Sequence, residues 1–144
     1  MAGLLVVPHQ DRVWKAPSHC VAGISPNDKG IELRVILLEK LVNIEIKSGD
    51  IISQFLVADY SGSIKCNFYG ESGTKLKAGD IIYLAGAYSA LFKDTTLTLY
   101  SGRKSRMLKI GEFFMDFSET PNMSEMVWER DPENFSLFRR KDTS

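Results

Sequence analysis

The chain has 144 residues, of which 44% are hydrophobic and 25% charged, and its 18 lysines and arginines balance 18 aspartates and glutamates. This length and composition are typical of one globular domain with short tails. They exclude a collagen-like chain, a wholly disordered chain and a disulfide scaffold. The zero net charge also argues against a polycation that coats nucleic acid by bulk charge alone.

The two cysteines, Cys20 and Cys66, lie far apart in the sequence, with no C-x-x-C pairing and no histidine cluster. They predict reduced thiols in an intracellular protein rather than a zinc site. The apolar run at residues 4–7 is too short for a secretory signal, and no run approaches the ~18 apolar residues of a membrane span. We therefore expect a soluble protein with no membrane partner and no bound metal.

Five strands are predicted after an N-terminal arm. Residues 1–23 have no clear period and contain two prolines, so we interpret them as the arm. Alternating and continuous apolar runs predict strands at 31–38, 51–58, 63–69, 81–88 and 96–101. Turn signals separate them at 48–50, 59–62 and 79–80. Residues 40–46 are ambiguous between strand and loop, residues 70–78 fit one helical turn, and residues 89–95 are predicted as a loop.

Gly86 lies inside the fourth predicted strand, where a glycine marks a bulge or a sharp bend. Five short, closely connected strands with such a bend suggest an all-β protein with a small closed or nearly closed barrel. After the fifth strand the chain becomes basic, continues as an apolar segment at 110–117 and ends in a polar, acidic tail. Because Pro121 and Pro132 break any long element, we interpret residues 119–144 as a disordered or partner-binding tail.

Two of the predicted strands have unlike faces. In the third strand one parity is apolar, and the other presents a cation, an amide and a ring, namely Lys65, Asn67 and Tyr69. In the fifth strand Leu97 and Leu99 face inward, which turns outward the side chains of Thr96, Thr98 and Tyr100. Phe92 and Lys93 fall in the loop before this strand, close to Tyr88. We therefore expect polar and aromatic side chains together on one side of the barrel.

The zero net charge hides a segregation along the chain. Residues 1–64 carry −1, residues 65–109 carry +5, residues 110–138 carry −6 and the last six residues carry +2. The positive stretch is the one with outward rings, and single-stranded nucleic acid requires such a surface, because cations neutralise phosphates and bases stack on rings. The candidate stacking residues are Tyr69, Tyr88, Phe92 and Tyr100. The candidate phosphate and polar contacts are Lys65, Asn67, Lys93, Thr98, Arg103, Lys104 and Arg106.

No catalytic constellation is visible in the sequence. The two histidines, His9 and His19, both fall in the arm, and the chain lacks the phosphate-loop, nucleophile-elbow, zinc-protease and dinucleotide-binding motifs. The carboxylates of the C-terminal segment are better interpreted as a solvated acidic surface. We therefore expect a protein that is not an enzyme, with no small-molecule substrate and no cofactor.

Four motifs follow one another along most of the chain. They are VADYSGSI at 57–64, GDII at 79–82, LTLYSGR at 97–103, and KIGEF with SETPN within 109–122. The first two occur in many OB-folds, whereas the last two, in this order and spacing, are more specific. Together they resemble the SOSS-B family of the SOSS complex, the simple single-OB-fold proteins of eukaryotic nuclei that bind single-stranded DNA. The resemblance extends over roughly residues 24–125.

The resemblance implies an OB-fold domain at residues 24–118, a five-stranded Greek-key barrel with a short helical connection. It implies a nuclear, non-catalytic single-stranded-DNA-binding component of a DNA-damage-response complex for double-strand break repair. The family's stacking positions match Tyr69, where better-known members carry tryptophan, and Tyr88, Phe92 and Tyr100. Two protein partners are also implied, a helical scaffold like Integrator complex subunit 3 (SOSS-A) and a small SOSS-C-like protein, with residues 107–122 contacting the scaffold.

Two alternatives remain open at the level of the sequence. The first is an OB-fold that serves as a protein-interaction or scaffold subunit with weak or no nucleic-acid binding. The neutral total charge, the weakly basic segment at 40–47 and the aromatic, acidic tail favour it. The second is a single-stranded RNA binder, because base stacking tolerates either sugar.

Overall fold

Strands make up most of the regular structure of the protein. The computed structural model describes residues 17–141, with the backbone alone at residues 135 and 136. The strands are β1 (Ile31–Glu45), β2 (Ile51–Asp59), β3 (Gly62–Tyr69), β4 (Asp80–Phe92), β5 (Thr96–Ser101), β6 (Arg106–Glu112), β7 (Trp128–Asp131) and β8 (Asn134–Arg140). A short helix, α1 (Glu71–Thr74), joins β3 to β4, and a 3-10 turn at Val21–Gly23 precedes β1. Among the described residues, no helix is long and apolar enough to cross a membrane.

The strands close into a barrel in the order β1-β2-β3-β5-β4, and β4 returns to pair with β1. The pairing of β3 with β5 is parallel, and the other pairings of this barrel are antiparallel. This order, with a short helix between the third and fourth strands, is a five-stranded Greek-key OB-fold barrel. The all-β OB-fold prediction is therefore confirmed. A sixth strand, β6, which the sequence did not predict, extends the sheet beside β4.

The 15-residue strand β1 closes the barrel because it pairs with two partners. Its first part pairs with β4 from Ile31 to Ile36, and its later part pairs with β2 from Ile36 to Glu45. Two register shifts interrupt the pairing with β2, and such bulges bend a strand sharply. The ambiguous segment at 40–46 is therefore strand through Glu45, and with the start of β2 it forms an exposed ribbon.

Gly86 bends β4, as the sequence predicted. Between Leu84 and Ala87, β4 has one more residue than the facing part of β1, and Gly86 lies in this bulge with φ of 74°. A side chain rarely adopts that conformation, so glycine suits the position. Beyond the bend, Tyr88 to Phe92 pair with β5, which makes residues 89–92 strand rather than the loop expected from the sequence.

The inward side chains of the barrel form one apolar core. At its centre Phe55 and Phe68 meet edge to face, with ring centroids 5.8 Å apart at 77°. Cys66 is fully buried among them, and desolvation raises the pKa of its thiol above the ordinary value. The thiol therefore stays protonated at neutral pH, which is the inert state for a cysteine.

The described part of the predicted N-terminal arm packs against this core. Val21 is buried, as is Ile24 directly after the arm, and the backbone N–H of Val21 donates to the Asp59 carboxylate at 2.9 Å. The N–H of Ala22 donates to the Ser61 hydroxyl at 2.9 Å, so the β2–β3 turn holds the arm in place. The arm's first 16 residues, with His9, lie outside the described residues.

The C-terminal segment also belongs to the fold. Met123 is fully buried in the core, and the Ser124 hydroxyl donates to the Leu97 carbonyl at 2.6 Å. Strands β7 and β8 then form a hairpin whose Trp128 joins the same core. The interpretation of residues 119–144 as a disordered tail is therefore wrong through Lys141, whereas the partner-binding alternative stays a prediction. The polar composition of this segment obscured the few apolar residues, among them Met123 and Trp128, that join the core.

Replacing Met123 by alanine tests whether this segment supports the barrel. We expect Met123→Ala to lower the free energy of unfolding by about 2–5 kcal/mol, because a fully buried side chain leaves a cavity. Urea denaturation of the full chain measures the change. The control Val127→Ala, at a half-exposed position, should change it by about 0.5 kcal/mol or less. Equal stability of the two variants would show that the segment does not contribute to the core.

Candidate nucleic-acid interface

The register of the barrel strands aligns a row of side chains across its outer surface. Residues that face each other in a ladder project to the same side of the sheet. One row crosses from β1 to β4 through the paired residues Val42, Gln54, Asn67, Tyr100 and Tyr88. We call it the central row. It places on one line two of the predicted rings and the predicted amide.

Two further rows flank the central row. The Tyr69 row consists of Ile44, Ile52 and Tyr69. The Lys65 row consists of Glu39, Leu56, Lys65, Thr98 and Ala90. The next pair in the β4–β5 ladder is Leu91 with Leu97, followed by Phe92 with Thr96. By strand alternation, Phe92 shares the side of Ala90 and Tyr88. The three rows and Phe92 form what we call the outer face.

Tyr88 and Tyr100 stack on one another within the central row. Their ring centroids lie 5.2 Å apart with an interplanar angle of 12°. Tyr88 is 44% exposed, whereas Tyr100 is partly buried, and this burial raises the pKa of the Tyr100 hydroxyl. The two rings are already held in a parallel arrangement. Such a pair is a ready platform for a flat aromatic ligand.

Phe92 ends β4 at the tip of the β4–β5 hairpin and is 50% exposed. Lys93 and Asp94 form a two-residue turn with φ of 53° and 60°, which is the primed turn that suits strand twist. The Thr95 N–H closes the turn by donating to the Phe92 carbonyl at 3.1 Å. The Lys93 ammonium lies 5.4 Å from the centroid of the Phe92 ring. A ring and a cation are thus presented together at the hairpin tip.

Tyr69 is engaged by two charged groups. The Arg103 guanidinium lies 4.9 Å from the centroid of the Tyr69 ring and pairs with the Asp50 carboxylate at 3.2 Å. The Tyr69 hydroxyl donates to the same carboxylate and accepts a hydrogen bond from Arg103. The hydrogen bond from Tyr69, followed by that from Ser48, holds the pKa of Asp50 below its ordinary value. Arg103 therefore covers part of this ring and ties the β1–β2 loop to the end of β5.

Of the remaining predicted phosphate and polar contacts, some lie on the outer face and others lie outside it. Lys65 and Asn67 lie on the outer face, and Asn67 accepts a hydrogen bond from Gln54 at 2.8 Å. Lys104 is exposed in the turn after β5. Arg106 begins β6 opposite Ala85, outside the three rows.

The expectation for Thr98 is not met by the structure. Thr98 has the outward parity that the sequence predicted, but it is only 2% exposed. It lies between Lys65 and Ala90 in its row, and its hydroxyl donates to the Thr96 carbonyl at 3.1 Å. Strand parity predicts the side of a sheet, but it does not predict whether neighbouring side chains cover that side. Thr98 therefore offers no accessible polar group in this conformation.

Sequence reasoning missed the contribution of β2 and the β1 ribbon to the outer face. The residues concerned are Val42, Ile44, Ile52, Gln54 and Leu56. In β2 both parities are largely apolar, so alternation did not distinguish an outer side. Gln54 is the polar residue among the otherwise apolar even-numbered positions of β2, and it could have indicated that these positions face outward.

Within residues 17–141, no three His, Cys, Asp or Glu side chains come close enough together to hold a metal ion. The outer face instead combines rings, cations and amides. Its exposed rings suit flat groups, and its cations suit anions.

Comparison with known proteins agrees with this fold. No protein-family model matches the chain. The chain is 27% identical over 105 residues to the single-stranded DNA binding protein Ssb of Saccharolobus solfataricus, and the match covers 70% of each chain. Among solved structures, it resembles that of the hypothetical protein F20O9.120 from Arabidopsis thaliana, with a TM-score of 0.66 and 20% identity. That match covers 83% of this chain and 92% of the other. The chain is thus distantly similar to a single-stranded DNA binding protein.

Removing the Tyr69 hydroxyl should raise the pKa of Asp50 towards that of an ordinary aspartate, about 3.9. The hydrogen bond from Tyr69 is the largest cause of its lowering, so Tyr69→Phe removes the main stabilisation of the carboxylate. The ionised cluster is present at neutral pH and is lost as the pH falls through the lowered pKa of Asp50. Carbon-13 NMR titration of the Asp50 carboxyl group measures the change.

Arg103→Gln is the matched control, because the charge of Arg103 is a smaller cause of the lowered pKa. It should raise the pKa of Asp50 less than Tyr69→Phe does. An unchanged pKa in Tyr69→Phe would mean that the Tyr69–Asp50 hydrogen bond does not form in solution.

Proposed function

We propose that this protein binds single-stranded DNA without catalysing a reaction. The observation that carries the proposal is the outer face, where the register aligns Tyr88, Tyr100 and Tyr69 with Lys65 and Asn67 across neighbouring strands. Stacked rings beside cations match the two chemical features of an unpaired strand, flat bases and a phosphate backbone. The distant similarity to Ssb supports the same assignment.

In the proposed complex the strand crosses β3, β5 and β4 between the β1–β2 loop and the β4–β5 hairpin. Bases stack on the predicted rings, namely Tyr69, Tyr88, Phe92 and Tyr100. Lys65, Lys93, Arg103 and Lys104 neutralise phosphates, so affinity falls as salt rises, because released counterions favour binding less at high salt. Arg106 lies outside the rows, so its positive charge attracts the phosphate backbone only at a distance.

The Gln54–Asn67 pair makes the proposed binding tolerant of sequence. With the Gln54 amide donating to the Asn67 carbonyl at 2.8 Å, the pair still has the Asn67 amide hydrogens as donors and the Gln54 carbonyl as an acceptor. Every base edge presents both donors and acceptors, so this pair accommodates any of them. The contact lies between Val42 and Tyr100 in the central row, where a base stacked on the tyrosine pair projects its edge.

We further propose, from the resemblance to the SOSS-B family, that the protein acts in the nucleus in double-strand break repair. Its partners would be an Integrator complex subunit 3-like scaffold and a small SOSS-C-like protein. An exposed apolar patch after β6 supports a protein partner at residues 107–122. It contains Phe113, Phe114 and Phe117, of which Phe114 is 95% exposed. Contiguous exposed rings on a protein surface mark interaction sites.

A titration of labelled oligo-dT at low and at moderate salt tests DNA binding. The double variant Tyr88→Ala with Phe92→Ala should lose affinity, since each stacked base contributes about 1–3 kcal/mol, roughly 5- to 150-fold per ring. The control Tyr60→Ala removes an exposed ring from the β2–β3 turn, outside the rows, and should bind as the unaltered protein does. Absence of binding at low salt, or full affinity in the double variant, would overturn the proposal. Competition with a matched oligo-rU decides between DNA and RNA.

Phe114→Ser tests the proposed scaffold contact separately. Because Phe114 is almost fully exposed, the substitution should leave both folding and oligo-dT affinity unchanged. Calorimetric titration with a purified Integrator complex subunit 3-like scaffold should show a loss of affinity of roughly tenfold or more, as for an aromatic hot spot. Unchanged scaffold affinity would place the contact elsewhere. Scaffold binding in a protein that fails to bind oligo-dT would instead favour the protein-interaction alternative.

A further inference from the structure

A cleft of about 580 Å³ opens beside Tyr88, next to the outer face. Its walls are the loop at 27–30 on one side and the turn at 102–105 on the other, with β4 from Gly86 to Ala90 between them. Tyr88 lines the cleft, whereas its stacking partner Tyr100 does not. We call it the glycine cleft. Its volume falls in the range of ~300–1,000 Å³ that is usual for small-molecule sites.

The first wall is held by hydrogen bonds to Ser89. The Asn27 N–H donates to the Ser89 carbonyl at 3.1 Å, and the Ser89 N–H donates to the Asp28 carbonyl at 3.0 Å. The Ser89 hydroxyl donates to the Ser25 carbonyl at 2.6 Å and accepts from the Asp28 N–H at 3.0 Å. The loop at 27–30 is thus fixed to β4 before any ligand arrives.

The second wall is fixed in the same way. The Ser105 hydroxyl donates to the Gly86 carbonyl at 3.0 Å and accepts from the Gly102 N–H at 3.0 Å. The space stays open because glycines line it. A β-carbon at Gly30 would meet no atom within 4 Å, and Gly86 likewise has no side chain to fill the floor.

The charges around the cleft favour an anion beside a ring. Lys29, Arg103 and Lys104 lie in its lining, and of these Arg103 is paired with Asp50. The lining carboxylate, Asp28, already accepts a hydrogen bond from the Ser25 N–H at 2.9 Å. An aromatic ring at one end and a surplus of cations along the walls are complementary to a nucleotide, which carries a flat base and a phosphate.

We propose that the glycine cleft binds one nucleotide of the bound single strand, at the point where the strand leaves the outer face past Tyr88. Its base enters the cleft next to the base that stacks on Tyr88, and Lys29 and Lys104 contact its phosphate. The proposal rests on the proposed DNA binding and adds a subsite to it. A strand that continues past Tyr88, rather than a free nucleotide, is the favoured ligand, because Tyr88 belongs both to the cleft and to the central row.

An oligo-dT ladder lengthened one nucleotide at a time tests the subsite on the full chain. With the unaltered protein, affinity should rise by about five-fold or more at the length that reaches the cleft, as expected for one more stacked base. Gly30→Asn narrows the cleft, and asparagine tolerates the φ of 61° at this position. Lys29→Gln removes a cation. Each variant should lose this increment and bind the shorter oligomers normally.

Lys75→Gln, an exposed lysine outside the cleft lining, is the matched control for Lys29→Gln and should keep the increment. Amide NMR shifts of Gly30 and Gly86 should appear only with the longer oligomers, whereas Gly111 on β6 serves as the unaffected reference. Equal length dependence in all proteins would overturn the subsite and leave DNA binding itself intact. If dTMP alone causes saturable shifts and affinity shows no length dependence, the cleft binds a free nucleotide, and the proposal that it binds part of a continuing strand is wrong. Failure of every oligomer to bind the unaltered protein would overturn both proposals.

Discussion

The bend of β4 at Gly86 is the constraint on which the barrel and its outer face both depend. Before the bend, one edge of β4 pairs with β1 and the other with β6. After the bend, the edge that held β6 pairs with β5, from Tyr88 onward. A straight β4 could not serve both partners, because β5 must also reach β3 to close the barrel. The extra residue and the positive φ at Gly86 supply the turn that this arrangement requires.

The same bend explains why a cleft lies beside the tyrosine pair. Strands β5 and β6 share one edge of β4, so the turn at 102–105 that joins them has to pass next to Gly86. On the other side, the chain entering β1 is fixed to Ser89 just beyond the bend. The two connections flank a glycine floor, and the space between them is a consequence of topology. Closure of the barrel and the opening of the cleft therefore have one origin.

How much the sequence could predict varies with the scale of the feature. Period-two alternation correctly predicted the outer parity of β3, because its inner positions are apolar and its outer ones are not. It placed Thr98 on the correct side but did not predict its burial, which depends on the neighbouring strands. It also overlooked Ile52 and Leu56, because both faces of β2 are largely apolar. The hairpin β7–β8 was missed because its polar composition conceals Trp128 as an anchor. Which side chains line up in a row across the barrel depends on the register between neighbouring strands. The apolar pattern of each strand read by itself does not specify that register.

The charge segregation along the chain is only partly available to a ligand. Lys109 contributes to the +5 stretch, but it pairs with Asp80 at 3.1 Å and with Glu112, at the end of the barrel away from the rings. Arg103 pairs with Asp50, which places a carboxylate at the edge of the Tyr69 row. A phosphate arriving there meets a cation already neutralised by its partner.

The outer face therefore offers two kinds of stacking site under the proposed function. At Tyr88 and Tyr100 the rings are already parallel and a base needs no rearrangement to stack on the exposed one. At Tyr69 a guanidinium occupies part of the ring, so a base must either displace Arg103 or stack upon it. Displacement would free the Arg103 charge for a phosphate and leave Asp50 hydrogen-bonded to Tyr69, so the lost ion pair is partly offset. Under the proposed function, a base therefore stacks on the tyrosine pair without rearrangement, whereas stacking directly on the Tyr69 ring requires an exchange of partners.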